Sequence, residues 1–305
     1  MQRICKLLIA MVLSTTIFCA NAQTDSVKTK KSYFKAGVSF TNDNVFVGRT
    51  DTVTSPSLST RISYTLKSGV YFSGGVDYFT KNRTDALDGG NIEAGYNYSI
   101  NDNLNGGISF TKLFYNANST RLSASISSEL NTYLDYDIAD IISTGINIGY
   151  SIAKSGFKND IILNPTLSHD FAFENVLNKK KDLLIISLTA GMNAGTQNFY
   201  DGYLTRLTTK NKRNSGFTAA QLVVYNKTLK DYKTYLEKLG VLDYELAVPL
   251  LYKIGHVLFS FTPTFAFPQN GLAAPKNVYQ VAIQKGIPPL QSSEFYFETG
   301  ISIKF

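Results

Sequence analysis

Apolar and polar residues alternate one by one along most of the chain beyond residue 30. In 91–100 the clearest alternation places Ile, Ala and Tyr at every second position, with Asn, Glu, Gly and Ser between them. Because successive side chains of a strand point to opposite faces, this period of two predicts β-strands with one apolar and one polar face. The strands predicted in this way cover 34–41, 58–66, 70–78, 92–100, 104–114, 122–130, 142–152, 161–171, 184–194, 217–225, 242–252, 257–265 and 295–305.

The composition of the polar faces favours a membrane barrel over a water-soluble sandwich, in which strands also alternate. These faces are mostly Ser, Gly, Asn and Thr with isolated charges, Tyr and Phe crowd the strand ends, and turns alternate between short and long. No stretch after residue 22 approaches the ~18 consecutive apolar residues of a membrane-spanning helix. The pattern therefore predicts an all-β protein, a transmembrane antiparallel up-and-down β-barrel.

The pattern predicts thirteen strands, but a single-chain bacterial barrel has an even number, so one of the thirteen assignments must be wrong. Two places can hold the error: 123–138, which reads as one strand or as a hairpin, and 253–255, which can be a bend within a strand instead of a turn. We predict 12 strands, with 14 as the alternative. Three prolines, Pro165, Pro249 and Pro263, fall inside predicted strands and are expected at bulges or strand ends.

The first 22 residues have the three regions of a secretory signal peptide. Two basic residues precede the apolar run 7–13, and the small residues of Ala20-Asn-Ala22 follow it. We therefore expect residues 1–22 to be removed and 23–305 to form a single outer-membrane domain.

The only cysteines, Cys5 and Cys19, lie in the segment that is expected to be removed. The mature chain then has no disulfide framework, thiol nucleophile or thiolate metal site. A lipoprotein signal ending at Cys19 is the alternative, but the bulky Phe18 stands where such signals have a small residue.

Charge gives little support to a nucleic-acid partner. Loss of Arg3 and Lys6 with the first segment lowers the formal net charge from +7 to +5, and the densest basic cluster is only Lys179-Lys-Lys181. Aromatic residues are plentiful, with 19 Tyr and 20 Phe but no Trp. The expected surroundings are outer-membrane lipid, with small solutes as candidate cargo.

We predict no catalytic residue, cofactor or metal site. His169 lies in Ser168-His-Asp170, but alternation puts Ser168 and Asp170 on the face opposite the imidazole, so the three cannot form a triad. The other histidine, His256, follows a turn glycine. No glycine-rich stretch continues into a phosphate-binding Gly-Lys-Ser/Thr, and acidic residues do not repeat at the spacing of a calcium loop.

Charged residues on the polar faces are the informative ones, because a Lys or Arg on the lipid side costs ~2 to 4 kcal/mol at mid-membrane. Placed inward, they line a lumen, where they either set the ion preference of a water-filled pore or pair with one another in a closed barrel. Twelve strands leave more lumen than the ~8 that side chains can fill, which favours the pore. The lumen-lining candidates are Lys35, Arg61, Asp77, Glu93, Asp243, Glu245, Glu298 and Lys304.

The final eleven residues form a strand that is apolar on one side, polar on the other, and ends at an aromatic. The apolar side carries Phe295, Phe297, Ile301, Ile303 and Phe305. This terminal strand resembles the C-terminal assembly signal of bacterial outer-membrane β-barrels. The resemblance implies an outer-membrane location and recognition of this strand by the barrel-assembly machinery.

A second resemblance lies near the start of the barrel. The polar stretch 42–51, with its Val45-Phe-Val-Gly48, and the following 55–58 and 68–75 are similar to the first hairpins of TorF-type outer-membrane porins. The resemblance implies a porin-like channel for passive passage of small solutes. A closed structural or surface-interaction barrel, with contacts through 196–215, is the alternative, and a lipid-modifying enzyme is a third.

One segment departs from the period of two. In 227–240, Leu229, Tyr232, Leu236 and Leu239 follow helix-like spacing with lysines between them. We predict a short helix within a connecting loop, with a membrane-surface or partner-binding helix as the alternative.

Overall fold

The computed structural model describes residues 31–50, 55–80, 86–117, 119, 121–139, 141–177, 182–201, 230, 233–269 and 293–305. Ser32–Phe305 form one compact unit. The predicted signal peptide, the predicted strand 217–225 and the basic part of the loop 196–215 lie outside the described residues. Of the predicted helix at 227–240, residues 233–236 are described in full and are helical.

The described chain is almost entirely β-structure, with one short 3₁₀ helix at Leu122–Ser125 and brief helical stretches in the loop after residue 196. Among the described residues, no helix is long and apolar enough to cross a bilayer. The strands are β1 Tyr33–Thr41, β2 Val45–Phe46, β3 Arg49–Thr50, β4 Ser57–Thr65, β5 Val70–Phe79, β6 Leu87–Ser99, β7 Leu104–Tyr115, β8 Ile126–Ile138, β9 Ile142–Ala153, β10 Asp160–Glu174, β11 Asp182–Gly195, β12 Gly240–Ala247, β13 Leu250–Ile254, β14 Val257–Pro268 and β15 Glu294–Lys304.

The main sheet closes on itself. Each strand from β4 to β11 pairs antiparallel with the next, β11 pairs with both β12 and β13, and β14 and β15 complete the ring by pairing back to β1. Because β12 and β13 are successive parts of one barrel strand, the ring has 12 members. This confirms the predicted closed antiparallel barrel of 12 strands and excludes 14. The described strands close the ring among themselves, and the strand predicted at 217–225 lies outside the described residues.

Pro249 explains why one barrel strand is interrupted. It lies between β12 and β13, where proline cannot donate a ladder hydrogen bond. The neighbouring Val248 donates its N–H to the carbonyl of Pro263 at 3.1 Å, and the carbonyl of Pro249 accepts the N–H of Ser187 at 2.9 Å. The two adjacent strands thus remain connected across the break.

The predicted strand 122–130 is wrong at its start. Residues 122–125 form the 3₁₀ helix, and a β-bulge between Ile126 and Ser128 reverses the facing of the residues before it. Ile126 is therefore buried at the barrel interior, whereas Leu130 remains on the apolar exterior. The alternation rule fails here because one extra residue shifts the register by one.

The exterior of the barrel is apolar. Side chains of Ile92, Phe72, Ile62, Leu188 and Phe265 are each at least half exposed, and every barrel strand contributes exposed apolar side chains. A water-soluble monomer rarely exposes one continuous apolar patch of more than a few hundred Å². The belt is that of a membrane-spanning barrel, whose lipid-facing band is apolar.

The two rims of the barrel differ. Five short connections, at 66–69, 100–103, 139–141, 175–181 and 255–256, lie at one rim together with the first residue of β1 and the last of β15. We call this rim the turn end. The connections at the other rim, the loop end, are 42–56, 80–86, 116–125, 154–159, 196–239 and 269–293. This asymmetry is typical of outer-membrane barrels, whose longer loops are extracellular.

Candidate permeation pathway

Residues of five neighbouring strands, β13, β14, β15, β1 and β4, border a polar cavity at the barrel wall. It has a volume of about 330 Å³ and is bordered by Lys35 on β1, Arg61 on β4 and Glu298 on β15. The remaining polar lining consists of serine hydroxyls: Ser39, Ser59, Ser63, Ser260 and Ser302. We call this space the wall cavity. Three of the predicted lumen residues therefore meet at one place.

Charges at the wall cavity remain accessible. The Arg61 side chain is 57% exposed although it faces the barrel interior, and its guanidinium lies 3.5 Å from the Glu93 carboxylate. Lys35 stands directly opposite Lys304 across the β1–β15 ladder, and both are exposed. The Lys304 ammonium lies 3.6 Å from the centre of the Tyr33 ring, a cation–π contact that partly offsets the repulsion between the lysines.

The part of the interior wall that adjoins Arg61, on β6 to β8, is acidic. Glu93 accepts a hydrogen bond from the Tyr71 hydroxyl, and across the ladder it stands opposite Thr111, which in turn stands opposite Glu129. Glu129 is not among the predicted lumen residues, although its segment was predicted to be a strand. The strict alternation with Leu130 and the position opposite Thr111 would have placed it inward.

The loop 42–56 enters the barrel from the loop end. Its strands β2 and β3 form a two-residue hairpin, which we call the inner hairpin, with Val47 at φ 44° and Gly48 at φ 73°. A tight hairpin of this kind needs positive φ at both central residues. A side chain at Gly48 would meet the Asp243 carboxylate at 2.4 Å, so the turn lies against the inward face of β12.

Asp243, one of the predicted lumen residues, is completely buried under the inner hairpin. Arg49 of the hairpin is also buried and acts electrostatically on the Asp243 carboxylate. Glu245, the next inward residue of β12, accepts a hydrogen bond from the Tyr296 hydroxyl at 3.3 Å. Asp243 therefore belongs to the contact between hairpin and wall, Glu245 contacts β15 within the wall, and neither lines the wall cavity.

The base of the same loop is held by Asp43. Its carboxylate accepts the backbone N–H groups of Asn44 and Ser55, at 2.8 and 2.9 Å, and the Asn44 amide donates to the Ser55 carbonyl. Burial raises the pKa of Asp43 above its ordinary value, and the two N–H groups oppose that effect. The hydrogen bonds bring both ends of the described loop together.

An apolar cluster joins three loops at the loop end. We call it the mouth cluster. Phe46 packs edge-on against Phe199 with ring centroids 4.9 Å apart, and the Ser125 hydroxyl donates to the Phe199 carbonyl at 3.1 Å. The buried members are Leu122, Ile126, Phe199, Tyr200 and Leu236, and Phe46, Val47 and Leu113 pack against them.

The three loops of the mouth cluster leave the ring at equal intervals. Loop 42–56 follows the first barrel strand, 116–125 the fifth, and 196–239 the ninth, so each is four strands from the next in a ring of twelve. Side chains that start from three such points meet only if the loops bend inward. The cluster therefore narrows the loop end of the barrel.

The loop 196–239 is anchored on its way inward by Asp160. This buried carboxylate accepts the Thr196 hydroxyl at 2.7 Å and the backbone N–H groups of Asn198 and Phe199 at 2.6 and 2.7 Å. Gln197 donates its N–H to the Leu236 carbonyl at 2.8 Å. The start and the end of the loop are thus fixed together above β10.

Arg121 provides a second charged contact at the loop end. Its guanidinium lies 3.2 Å from Asp77 and 2.6 Å from the buried Asp88, and its carbon Cζ lies 5.3 Å from the centre of the Phe79 ring. Asp77 also accepts the Ser59 hydroxyl at 2.6 Å. Asp77 is thereby neutralised by a loop residue. Alternation could not predict this contact, because Arg121 lies outside the predicted strand 122–130.

The apolar residues of the terminal strand close the ring. Phe305 exchanges two backbone hydrogen bonds with Phe34, at 2.8 and 3.2 Å, and their rings lie 6.2 Å apart. Phe295 packs against Phe265 at 4.8 Å, and Phe297 against Phe261 at 5.6 Å. The two remaining members, Ile301 and Ile303, are exposed on the exterior.

Both histidines contact backbone carbonyl groups. His169 lies on the outward face of β10, with its ring near the carbonyl of Ile141 and edge-on to Phe171. His256 lies in the turn 255–256, and its Nδ1 is 2.9 Å from the carbonyl oxygen of Lys304. Within the described residues, the hydrogen-bond partner of each ring is a backbone carbonyl, which cannot act as the nucleophile or acid of a catalytic pair.

Comparison with known proteins gives likeness of structure only. No protein-family model matches this sequence, and no curated protein matches it. Among solved structures, the chain is similar to the KdgM porin, with a TM-score of 0.47 and 10% identity over 90% of this chain and 99% of that chain. It is also similar to the NanC porin, with a TM-score of 0.43 and 9% identity over 89% of this chain and 100% of that chain. A third similar structure is LpxR from Salmonella typhimurium, with a TM-score of 0.42 and 11% identity over 88% of this chain and 99% of that chain. Each of the three is similar to this chain in fold.

Proposed function

We propose that this protein is a porin-like channel of the bacterial outer membrane, through which small hydrophilic solutes or ions pass passively. The observation that carries the proposal is the exposure of charged groups inside the barrel. Lys35, Arg61 and Glu298 border the wall cavity and are exposed, whereas a barrel filled by its own side chains would bury them. Twelve strands also enclose more space than the ~8 that side chains can fill.

A closed barrel is the second candidate, and the mouth cluster favours it. Phe199, Ile126 and Leu236 are fully buried there, and Arg121 and Arg49 hold carboxylates of the wall next to inserted loops. In the channel proposal the same features form a constriction that solutes must pass. The two candidates therefore differ only in whether the loop end conducts.

No catalytic activity is proposed. The hydrogen-bond partners of both histidine rings, His169 and His256, are backbone carbonyls among the described residues. A hydrolase would need a nucleophile activated by such a base.

Conductance in planar bilayers tests the proposal. Purified full-length protein, whose heat-sensitive gel migration demonstrates a folded barrel, is expected to insert with discrete current steps. A folded protein that inserts without any current step would favour the closed barrel and refute the channel.

Charge reversal in the wall cavity is expected to change ion preference. Lys35→Glu combined with Arg61→Glu replaces both exposed cations by carboxylates, so the reversal potential in a salt gradient should shift towards cation preference. Lys67→Glu, in the exposed turn 66–69, is the matched control and should shift it less. An equal shift for the two proteins would show that solutes do not pass the wall cavity.

A further inference from the structure

Lys112 occupies an unusual position on the outside of the barrel. On β7 it alternates with Phe110 and Phe114, which are 47% and 50% exposed on the apolar exterior, and it stands opposite Ile92 of β6. Among the described residues of the twelve barrel strands, it is the only Lys or Arg at an outward position. A cation in that environment requires a physical explanation.

The Lys112 ammonium is incompletely satisfied by protein groups. It donates to the Ser128 hydroxyl at 3.3 Å, and no carboxylate of the described chain forms an ion pair with it. An ammonium has three donors. Lys112 lies three residues before the end of β7 at the loop end. An outward cation costs less there than at mid-membrane, because its side chain can extend to the interface.

A groove adjoins Lys112 on the same exterior surface. Its volume is about 450 Å³, and Val76, Leu87, Ile92 and Phe114 line it around Gly90. Its polar lining residues are Asn91, Asn116 and Asp88, and the buried Asp88 carboxylate is paired with Arg121. Gly90 stands between Val76 and Phe114 in the ladders, so the missing side chain leaves a gap in the apolar belt. We call this gap the outer groove. Ile92 borders it and also stands opposite Lys112, which places an apolar slot beside a cation.

We propose that the outer groove and Lys112 together bind one phosphorylated, multiply acylated glycolipid of the outer leaflet, of the lipid A type. The groove holds part of an acyl chain, and the ammonium binds a phosphate oxygen. The loop end fits the outer leaflet because long loops of such barrels are extracellular. Charge complementarity selects an anionic lipid over a zwitterionic one.

A second copy of this chain does not fit the site. The only carboxylate at an outward strand position in the described residues is Asp182, the first residue of β11, at the turn end. Side-by-side barrels in the same orientation would therefore bring no acid to the level of Lys112. The lipid site is independent of whether the barrel conducts.

Native mass spectrometry tests the proposal on the full-length protein in a neutral detergent. Lipid A, phosphatidylglycerol and phosphatidylcholine are titrated separately, and lipid A is expected to be retained most strongly. Lys112→Gln should weaken lipid A retention about fivefold, the effect of about one surface cation. Lys67→Gln, which removes an equal charge at the turn end, is the control and should leave retention unchanged.

The groove is tested separately by filling it. Val76→Trp places a large ring at its border, whereas Ile146→Trp makes the same kind of change on β9, an equally exposed outward position away from the groove. Lipid A retention should fall for the first variant alone, with both proteins showing the heat-sensitive gel migration of folded barrels. Three results would overturn the proposal. In the first, Lys112→Gln retains lipid A as strongly as the unchanged protein; in the second, the protein retains lipid A and phosphatidylcholine equally. In the third, the unchanged protein is a dimer and Lys112→Gln is a monomer, which would assign Lys112 to a contact between two copies. Preference for phosphatidylglycerol over lipid A would also overturn it.

Discussion

Arg121 neutralises two carboxylates that belong to different strands, Asp77 of β5 and Asp88 of β6. Asp88 is almost completely buried, whereas the guanidinium of Arg61 on the neighbouring wall is mostly exposed. Two arginines that both face the barrel interior therefore have different roles. Arg121 stabilises the inserted loop, and Arg61 remains available to solutes.

Replacement of Arg121 should destabilise the barrel much more than replacement of Arg61. Arg121→Met leaves a buried carboxylate without its cation, which typically costs about 3 to 5 kcal/mol. Arg61→Met removes an exposed pair, for which about 0 to 1 kcal/mol is expected. Urea unfolding in lipid vesicles, followed by gel migration, measures both. Equal losses of unfolding free energy would contradict the assignment of Arg121 as a buried ion-pair partner.

At the scale of elements, the inner hairpin has a strained turn that packs against the mouth cluster. Its turn needs positive φ at two positions, yet one is the β-branched Val47, whose strained backbone typically costs about 1 to 3 kcal/mol. Val47 packs against the mouth cluster, and Gly48 lies against Asp243. Tertiary packing therefore holds a turn that local preference opposes.

Alanine substitution at two glycines separates strain from contact. Both Gly48 and Gly156 have positive φ, but a Cβ at Gly48 would meet Asp243 at 2.4 Å, whereas nothing lies within 4 Å at Gly156. Gly156→Ala should lower the free energy of unfolding by about 1 to 2 kcal/mol through backbone strain alone. Gly48→Ala should cost more and should raise single-channel conductance, because the hairpin must leave β12. Unchanged conductance in Gly48→Ala would show that the hairpin does not narrow the pathway.

At the scale of the molecule, stability depends on closing the ring between β1 and β15. Seven residue pairs join these strands, and Phe34 and Phe305 add two backbone hydrogen bonds and a ring contact at the rim. A closed barrel leaves no strand edge unpaired inside the lipid. The last residue therefore contributes to closure as well as to the proposed recognition by the assembly machinery.

Two changes at Phe305 distinguish these contributions. Deletion of Phe305 removes both hydrogen bonds to Phe34, whereas Phe305→Leu retains them and removes only the aromatic ring. If backbone closure dominates, refolding into detergent should be slower for the deletion than for Phe305→Leu. If the ring is recognised during assembly, both variants should accumulate less folded barrel in cells, as measured by heat-sensitive gel migration. Normal cellular yields for both would refute the assembly-signal interpretation.

The architecture was predictable because alternation records the two environments of every strand. Residues 91–100 show this directly, because their apolar and polar side chains alternate one by one. In a membrane, strands of this kind form a barrel with the apolar face towards lipid and the polar face inward. Prediction failed at Ile126, because the bulge beside it interrupts the period of two. Alternation also did not single out Lys112, a cation that lies among apolar side chains on the outward face of β7. Alternation predicted that Arg61 and Glu93 both face the interior, but their ion pair depends on the register of the strands and was not predicted.

The sequence alone determined the barrel, its inward and outward faces and its terminal strand, because each depends on neighbours one or two positions apart. Only the tertiary structure decided which loops enter the lumen. Phe46, Phe199 and Leu122 are separated by many residues and carry no common local signal, so their contact depends on loops that meet across the ring. The same reason explains the partners of Arg121 and Asp243, which are set by the closure of the barrel.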